Sequence, residues 1–438
     1  MHEANFEPPH TTKSLRIAVV GSGISGLAAA HVLGRSHQVT LYEALDYFGG
    51  HTHTVDVTLP GAEGLVTHGV DTGFLVFNER TYPQLIALFE QLSVPTASSD
   101  MSFSVKAQTA SGRHLEWSGS NLRSVFTQAR NALSPAFWRM LVDIVRFNRL
   151  VRKLALSNQD EKLKQPLGEF LQTHRFSRSF CDWYFLPMMA CIWSCPTQQM
   201  LAFPVATMVR FCFNHGLIEL TQRPQWFTVA GGARQYVEKI IAGIEDKRLN
   251  TPVQSITRLP DGQVEVRSQG RSEIFDRVVL ATHSDQALRL LSDASASEQQ
   301  VLGAIKYQPN KAVLHLDASV LPRSQGAWAA WNYERAPASK GRGAGVCLHY
   351  LLNRLQPLPF AQPVIVSLNP VHPIAPSLVL DQFDYSHPVL DLAAIEAQKS
   401  LAQLQGVRNT YFCGAWTGYG FHEDGLKSGL QVASLIAS

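Results

Sequence analysis

The chain has 438 residues, 45% hydrophobic and 17% charged, with 38 basic and 35 acidic side chains and a formal net charge of +3. That length exceeds a simple binding module and predicts two lobes around large cores, while a charged share well below the usual ~25% argues against disorder. The near-balanced net charge gives no reason to expect a nucleic-acid partner, since phosphate binding requires a concentrated basic face.

Residues 1–14 read as a loose tail. The apolar run Leu15 to Val20 reads as a buried parallel strand; Gly21-Ser22-Gly23-Ile24-Ser25-Gly26 follows at once, and Leu27 to Leu33 is helix-like. His37 to Tyr42 reads as a second strand, ending on Glu43, 17 residues past Gly26. Strand, glycine turn, helix and strand, with an acid at that distance, form the context in which G-x-G-x-x-G binds a dinucleotide. The first glycine permits the turn, the second lets backbone N–H groups approach a pyrophosphate at the helix N-terminus, and the third allows helix and strand to pack closely. Glu43 would accept hydrogen bonds from ribose hydroxyls. Gly341, Gly343 and Gly345 follow no strand, so the fingerprint occurs once and a reductase with two nucleotide sites is disfavoured.

Between 121 and 180 eleven Lys or Arg stand against four acids. Ser134 before Pro135 is a helix-start signal, and a helix to about Leu156 puts Arg139, Arg146, Arg149 and Lys153 near one face and Phe137, Leu141, Ile144 and Val151 on another. Such a helix either packs on its own domain with solvated cations or makes a peripheral membrane contact. Trp183 to Val209 is 27 residues without Asp, Glu, Lys, Arg or His, but Pro187, Pro196 and Pro204 interrupt it, so no transmembrane helix is expected.

The six cysteines include a C-x3-C spacing at Cys191 and Cys195 and no C-x2-C pair, so no metal site is expected. With no secretory leader pattern, reduced buried thiols and a cytoplasmic location are expected. Val264 to Val266, Asp276 to Ala281, Val364 to Leu368 and Thr410 to Cys413 read as strands, and Leu392 to Gln405 and Leu426 to Ala437 as helices. The nucleotide lobe is thus expected from three separated stretches.

Directly after Glu43 comes Tyr47-Phe48-Gly49-Gly50-His51-Thr52-His53-Thr54. Further on stand Asp71-Thr72-Gly73, Thr228 to Val237 with Gly231-Gly232, Val278 to His283, Tyr411 to Gly414, and Gly420-Phe421-His422-Glu423-Asp424-Gly425. Together these resemble the flavin-containing amine oxidase and phytoene desaturase superfamily. The resemblance implies FAD rather than NAD, an α/β fold with a Rossmann-like FAD lobe and an interrupted α+β substrate lobe. It implies an FAD site formed by Gly21, Ser22, Gly23, Ile24, Ser25, Gly26, Glu43, Ala44, Gly49, Gly50, His51, Thr52, Val253, Gly414, Trp416 and Glu423. Two departures stand out: His51 replaces a frequent Arg, and Trp416 replaces a ribityl-contacting acid.

On the same resemblance His422 takes the place of an aromatic wall of the substrate cage, where an imidazole could stack on flavin or exchange a proton near neutral pH. Lys311 resembles the lysine that holds a water at flavin N5. Trp183 to Phe185, Met188, Met189, Trp193, Phe203, Trp328, Trp331 and Asn332 are core or the lining of an apolar pocket, and His215 and Trp226 could face the cleft.

The expected layout is an FAD lobe from 15–95, 227–300 and 401–438 and a substrate lobe from 96–226 and 301–400. The Trp331-Asn332-Tyr333 and Phe421 to Gly425 motifs resemble a bacterial amine-oxidase-like branch found beside cyclopropane-type fatty-acid synthesis. The expected activity is hydride transfer from a small hydrophobic substrate, such as a modified acyl chain, to FAD, with oxygen or another acceptor reoxidising it. Amine oxidation and a non-catalytic flavin- or lipid-binding role are the alternatives. A cytoplasmic protein, peripheral on the inner membrane face through the basic segment, fits the first reading.

Overall fold

The computed structural model describes residues 14–109, 112–156, 165–219, 223–335 and 346–437; the expected tail and the glycines at 341–345 lie outside them. The strand Arg16–Val20 is buried from Ile17 onward, as a central parallel strand of β-branched and small residues should be. It sits in a five-stranded parallel sheet in the spatial order Asp246–Arg248, Gln38–Tyr42, Arg16–Val20, Arg277–Leu280, Thr410–Phe412. The crossover direction reverses between Arg16–Val20 and Arg277–Leu280, and ligands of open α/β sheets bind at the carboxyl ends of strands at such a switch point.

The helix Ile24–Leu33 leaves that switch point and packs against the closing helix His422–Ala437. Two glycines permit the approach: a Cβ on Gly26 would overlap the Gly21 carbonyl, and one on Gly429 the Ser25 carbonyl. The closing helix begins four residues before the expected Leu426, because Glu423 and Asp424 suit its first turn and Asp424 accepts from Phe421 N at 2.9 Å. On the other sheet face an antiparallel meander, Val253–Arg258, Val264–Ser268 and Arg271–Phe275, buries Ile256, Val266 and Phe275 against Ala18, Tyr42 and Leu280.

The second lobe is built on a seven-stranded mixed sheet, ordered Val379–Val389, Lys306–His315, Ile365–Leu368, Val346–Leu351, Trp331–Arg335, Phe103–Gln108, His114–Ser118. Helices cover one face, burying Phe137, Phe147, Phe185, Met189, Phe203 and Phe211 with Leu314, Tyr333 and Val366. The helix Pro135–Ala155 starts as the sequence predicts: Ser134 accepts from Phe137 N and Pro135 opens the first turn. In the 183–209 stretch the prolines start helices, Pro187 inside the first turn of Leu186–Trp193, Pro196 and Pro204 as N-caps of Thr197–Met200 and Val205–Asn214. No described helix is long and apolar enough to cross a membrane.

Candidate active site

The glycine turn is tied to its acid. Ser22 donates to one Glu43 carboxylate oxygen through N at 2.9 Å and Oγ at 2.6 Å, and Leu45 N donates to the other at 3.0 Å. Gly49 N donates to Ser22 Oγ at 3.1 Å, which ties the Gly49-Gly50 loop to the same turn. Gly50, at φ +58°, lies against Gly23, where a Cβ would be 3.1 Å from the Gly23 Cα. Thr251 N donates to the Glu43 carbonyl at 2.8 Å, bringing the start of the Val253 strand alongside exposed Ala44.

Gly23 is the N-cap of Ile24–Leu33 and offers no side-chain cap, so the first helical N–H groups remain for a ligand. A Cβ on Gly23 would meet nothing within 4 Å. An uncapped helix N-terminus facing open space above a fixed acid is the cradle a dinucleotide diphosphate fits. At the far side Gly414 (φ +157°) donates its N–H to Ser428 Oγ at 2.9 Å, joining the last strand to the closing helix.

Where the lobes meet, four histidines from four segments converge. The His51 ring centroid lies 5.3 Å from His387, 6.4 Å from His283 and 5.0 Å from Tyr385. Asn310 Nδ2 is 2.9 Å from His387 Nδ1. His422 lies on Phe74, and its Nε2 is 2.7 Å from Tyr236 Oη, which also bonds Thr52. Burial holds all four imidazoles neutral: it pushes His387 down to about 4 and His422 to about 3, and lowers His283 and, further, His51. Among the described residues His51 Nε2 is buried with no hydrogen-bond partner, a polar atom left for a ligand to satisfy.

Several expectations are corrected here. Burial pushes the His422 imidazole down to about 3, against a proton exchange near neutral pH, and its ring is held between Phe74 and Tyr236. Lys311 does not reach the cleft: it is exposed, and the two-residue period of its strand turns it to the face that carries Val313. Its neighbour Asn310, 2% exposed, takes the inward position that sequence reading missed. The Glu423 carboxylate accepts from Gln84 N at 2.9 Å and Leu85 N at 3.0 Å, so its side chain caps the helix Pro83–Gln91. Trp416 is buried in the sheet core, its indole N–H donating to the Thr282 carbonyl at 3.1 Å, so its side chain is committed within the protein. Trp328 and Asn332 lie on the other face of the seven-stranded sheet, Asn332 accepting from Ser104 Oγ at 2.7 Å.

That other face also holds a group with no signal in the sequence: Glu334, Cys347 and His349 bring three donor atoms within 4.8 Å of one another. Lys106 Nζ already pairs with Glu334 at 3.1 Å, and His349 bridges Glu334 and Ser367 Oγ, so the group is satisfied as a buried ion pair and hydrogen-bond chain. Asp71, of the Asp71-Thr72-Gly73 motif, accepts from Ala233 N at 2.9 Å and Gln356 Nε2 at 2.8 Å, while burial pushes its carboxyl up to about 7. It staples segments rather than facing the cleft.

The family model for flavin containing amine oxidoreductase matches residues 24–354. The chain belongs to that family. FAD is accordingly its cofactor, in a family of FAD-dependent oxidoreductases, and the open helix N-terminus, the fixed Glu43 and the orphaned His51 nitrogen fit it. AofH of Mycobacterium tuberculosis, whose name places it among flavin-containing monoamine oxidases, is 26% identical over 280 residues, 61% of this chain and 56% of AofH. The carotenoid phi-ring synthase of Streptomyces griseus is 26% identical over 296 residues, 63% of this chain and 54% of that enzyme. The matches thus span about half the length of these relatives. The fold is that of the CLA-producing fatty acid isomerase from P. acnes, with a TM-score of 0.66 at 16% identity, covering 97% of this chain and 99% of that one.

Proposed function

We propose that this family member oxidises a hydrophobic substrate, a modified acyl chain or similar lipid. The observation that carries the reading is the wall beside His422. Phe211 stacks on His215 at 3.9 Å and on Phe421 at 5.0 Å, with Trp193 at 4.5 Å, and burial pushes His215 down to about 4. The adjacent acids are committed to backbone N–H groups, Glu423 to Gln84 and Leu85 and Asp424 to Phe421, so neither is free to hold a substrate ammonium. A fatty acid isomerase of the same fold and a carotenoid-ring enzyme among the relatives support an apolar substrate.

Bound FAD supplies a hydride acceptor at flavin N5. The chain's own residues orient and shield: Gly23 and the helix behind it would hold the diphosphate end and Glu43 the ribose, while Phe74 with Tyr236 fixes His422 as a neutral ring beside the substrate. Asn310 holds His387 at the lobe junction, and His51 offers its free nitrogen to the bound group. The second reading, amine oxidation, is favoured by the family's description and by AofH. Anaerobic titration of the yellow protein with acyl lipids and with amines in parallel tests both. Bleaching of the flavin by acyl lipids is expected; bleaching by amines alone would replace this reading with the second.

A further inference from the structure

The helix Pro135–Ala155 carries large apolar side chains on its solvent side. Leu133, just before it, is 85% exposed, Trp138 50% and Val142 51%. Trp138 is held outward: its indole N–H donates to the Ala132 carbonyl at 2.8 Å and its ring packs on Phe126. Positions 138, 142, 149, 152, 153 and 156 fall on one stripe at helical spacing, so the same face continues into exposed Arg149, Arg152, Lys153 and Leu156.

The charges divide in two. Buried Asp143 pairs with both Arg139 and Arg146 and offsets one of their two charges. Among the described residues no carboxylate pairs with Arg149, Arg152 or Lys153. The helix is therefore built with a buried apolar side, an exposed Trp and aliphatic end, and an exposed cationic end. Single exposed hydrophobes are ordinary, but an aromatic and aliphatic set in line with exposed cations matches an interfacial helix lying on anionic headgroups. Its inner side packs on Val205–Asn214, whose Phe211 stacks on Phe421 beside His422, so one helix separates this face from the cleft.

We propose that this face docks peripherally on an anionic lipid bilayer, with Leu133, Trp138 and Val142 entering the headgroup region and Arg149, Arg152 and Lys153 meeting lipid phosphates. Docking stands on the helix face; the acyl-substrate reading gives it a purpose, but the test requires no turnover, so either can fail alone. The flavin-loaded protein is sedimented with vesicles of phosphatidylcholine, with and without phosphatidylglycerol, at low and high salt. Binding to the anionic vesicles is expected, with release as salt rises. The double variant Trp138→Ser, Val142→Ser and the triple variant Arg149→Glu, Arg152→Glu, Lys153→Glu should each weaken it by about tenfold or more at unchanged melting temperature and flavin absorbance. Absence of binding, or variants that bind like the parent, would overturn the proposal. So would light scattering that shows a dimer lost in the variants without any vesicle binding, which would assign the face to a second copy of this chain.

Discussion

The imidazole of His422 lies flat on Phe74, ring centroids 3.9 Å apart and planes 12° from parallel. Tyr236 fixes the edge of the same ring at 2.7 Å. A ring held on face and edge is positioned, and burial that pushes its pKa down to about 3 keeps it uncharged. His422→Ala should slow flavin reduction by on the order of tenfold or more, whereas His422→Phe, which keeps the stack, should recover part of the loss. The pH profile between about 5 and 9 should be the same in parent and His422→Phe, since no His422 titration falls there. An ionisation present in the parent and missing in that variant would refute the neutral-wall role.

The same burial makes stability acid-sensitive. His215 and His387 are pushed down to about 4 and His422 to about 3, all below the ordinary 6.5. Each is neutral in the folded state while the unfolded chain takes up protons below about 6.5, so the stability they hold is complete above that pH and is lost as pH falls toward 3 to 4. Across that window each such group costs up to about 1.4 kcal/mol per pH unit. Melting temperature should be flat from about pH 7 to 8 and fall steadily below about 6. A melting temperature unchanged down to pH 4.5 would show that these rings are not held neutral.

Gly23 and Gly26 should fail in different ways. A side chain at Gly23 meets open space in the protein itself, so Gly23→Val should fold, melt like the flavin-free parent, and bind FAD at least about tenfold more weakly. Gly26→Val should lose the fold, because its Cβ would overlap the Gly21 carbonyl. Flavin content by absorbance, with melting of the flavin-free forms, separates them. Full flavin content in Gly23→Val would mean that the diphosphate lies elsewhere.

Lys311 and Asn310 are neighbours with opposite expected effects. Lys311→Met, at an exposed position facing away from the junction, should leave flavin reduction and reoxidation within about twofold of the parent. Asn310→Ala removes the partner of His387 and a bond from Asn369, and should destabilise by about 1 to 3 kcal/mol and shift the flavin absorbance. Stopped-flow reoxidation in air measures the first and thermal melting the second. Slow reoxidation in Lys311→Met with an unaffected Asn310→Ala would reverse the assignment.

What the sequence determined was local. Gly21, Gly23, Gly26 and Glu43 announce their turn because the spacing of a strand, a turn and a helix is set within about 30 residues. Ser134-Pro135 likewise predicts the start of its helix. What the tertiary structure decided depended on register between distant strands. A one-residue choice on the strand Lys306–His315 puts Asn310 inside and Lys311 outside, and pairing with Val379–Val389 sets it. The meeting of His51, His283, His387 and His422, the capture of Glu423 as a cap for Pro83–Gln91 and the turning of Trp416 into the sheet core are of the same kind. Each joins segments that lie far apart along the chain, and their convergence follows from how the two lobes pack, which no local pattern encodes.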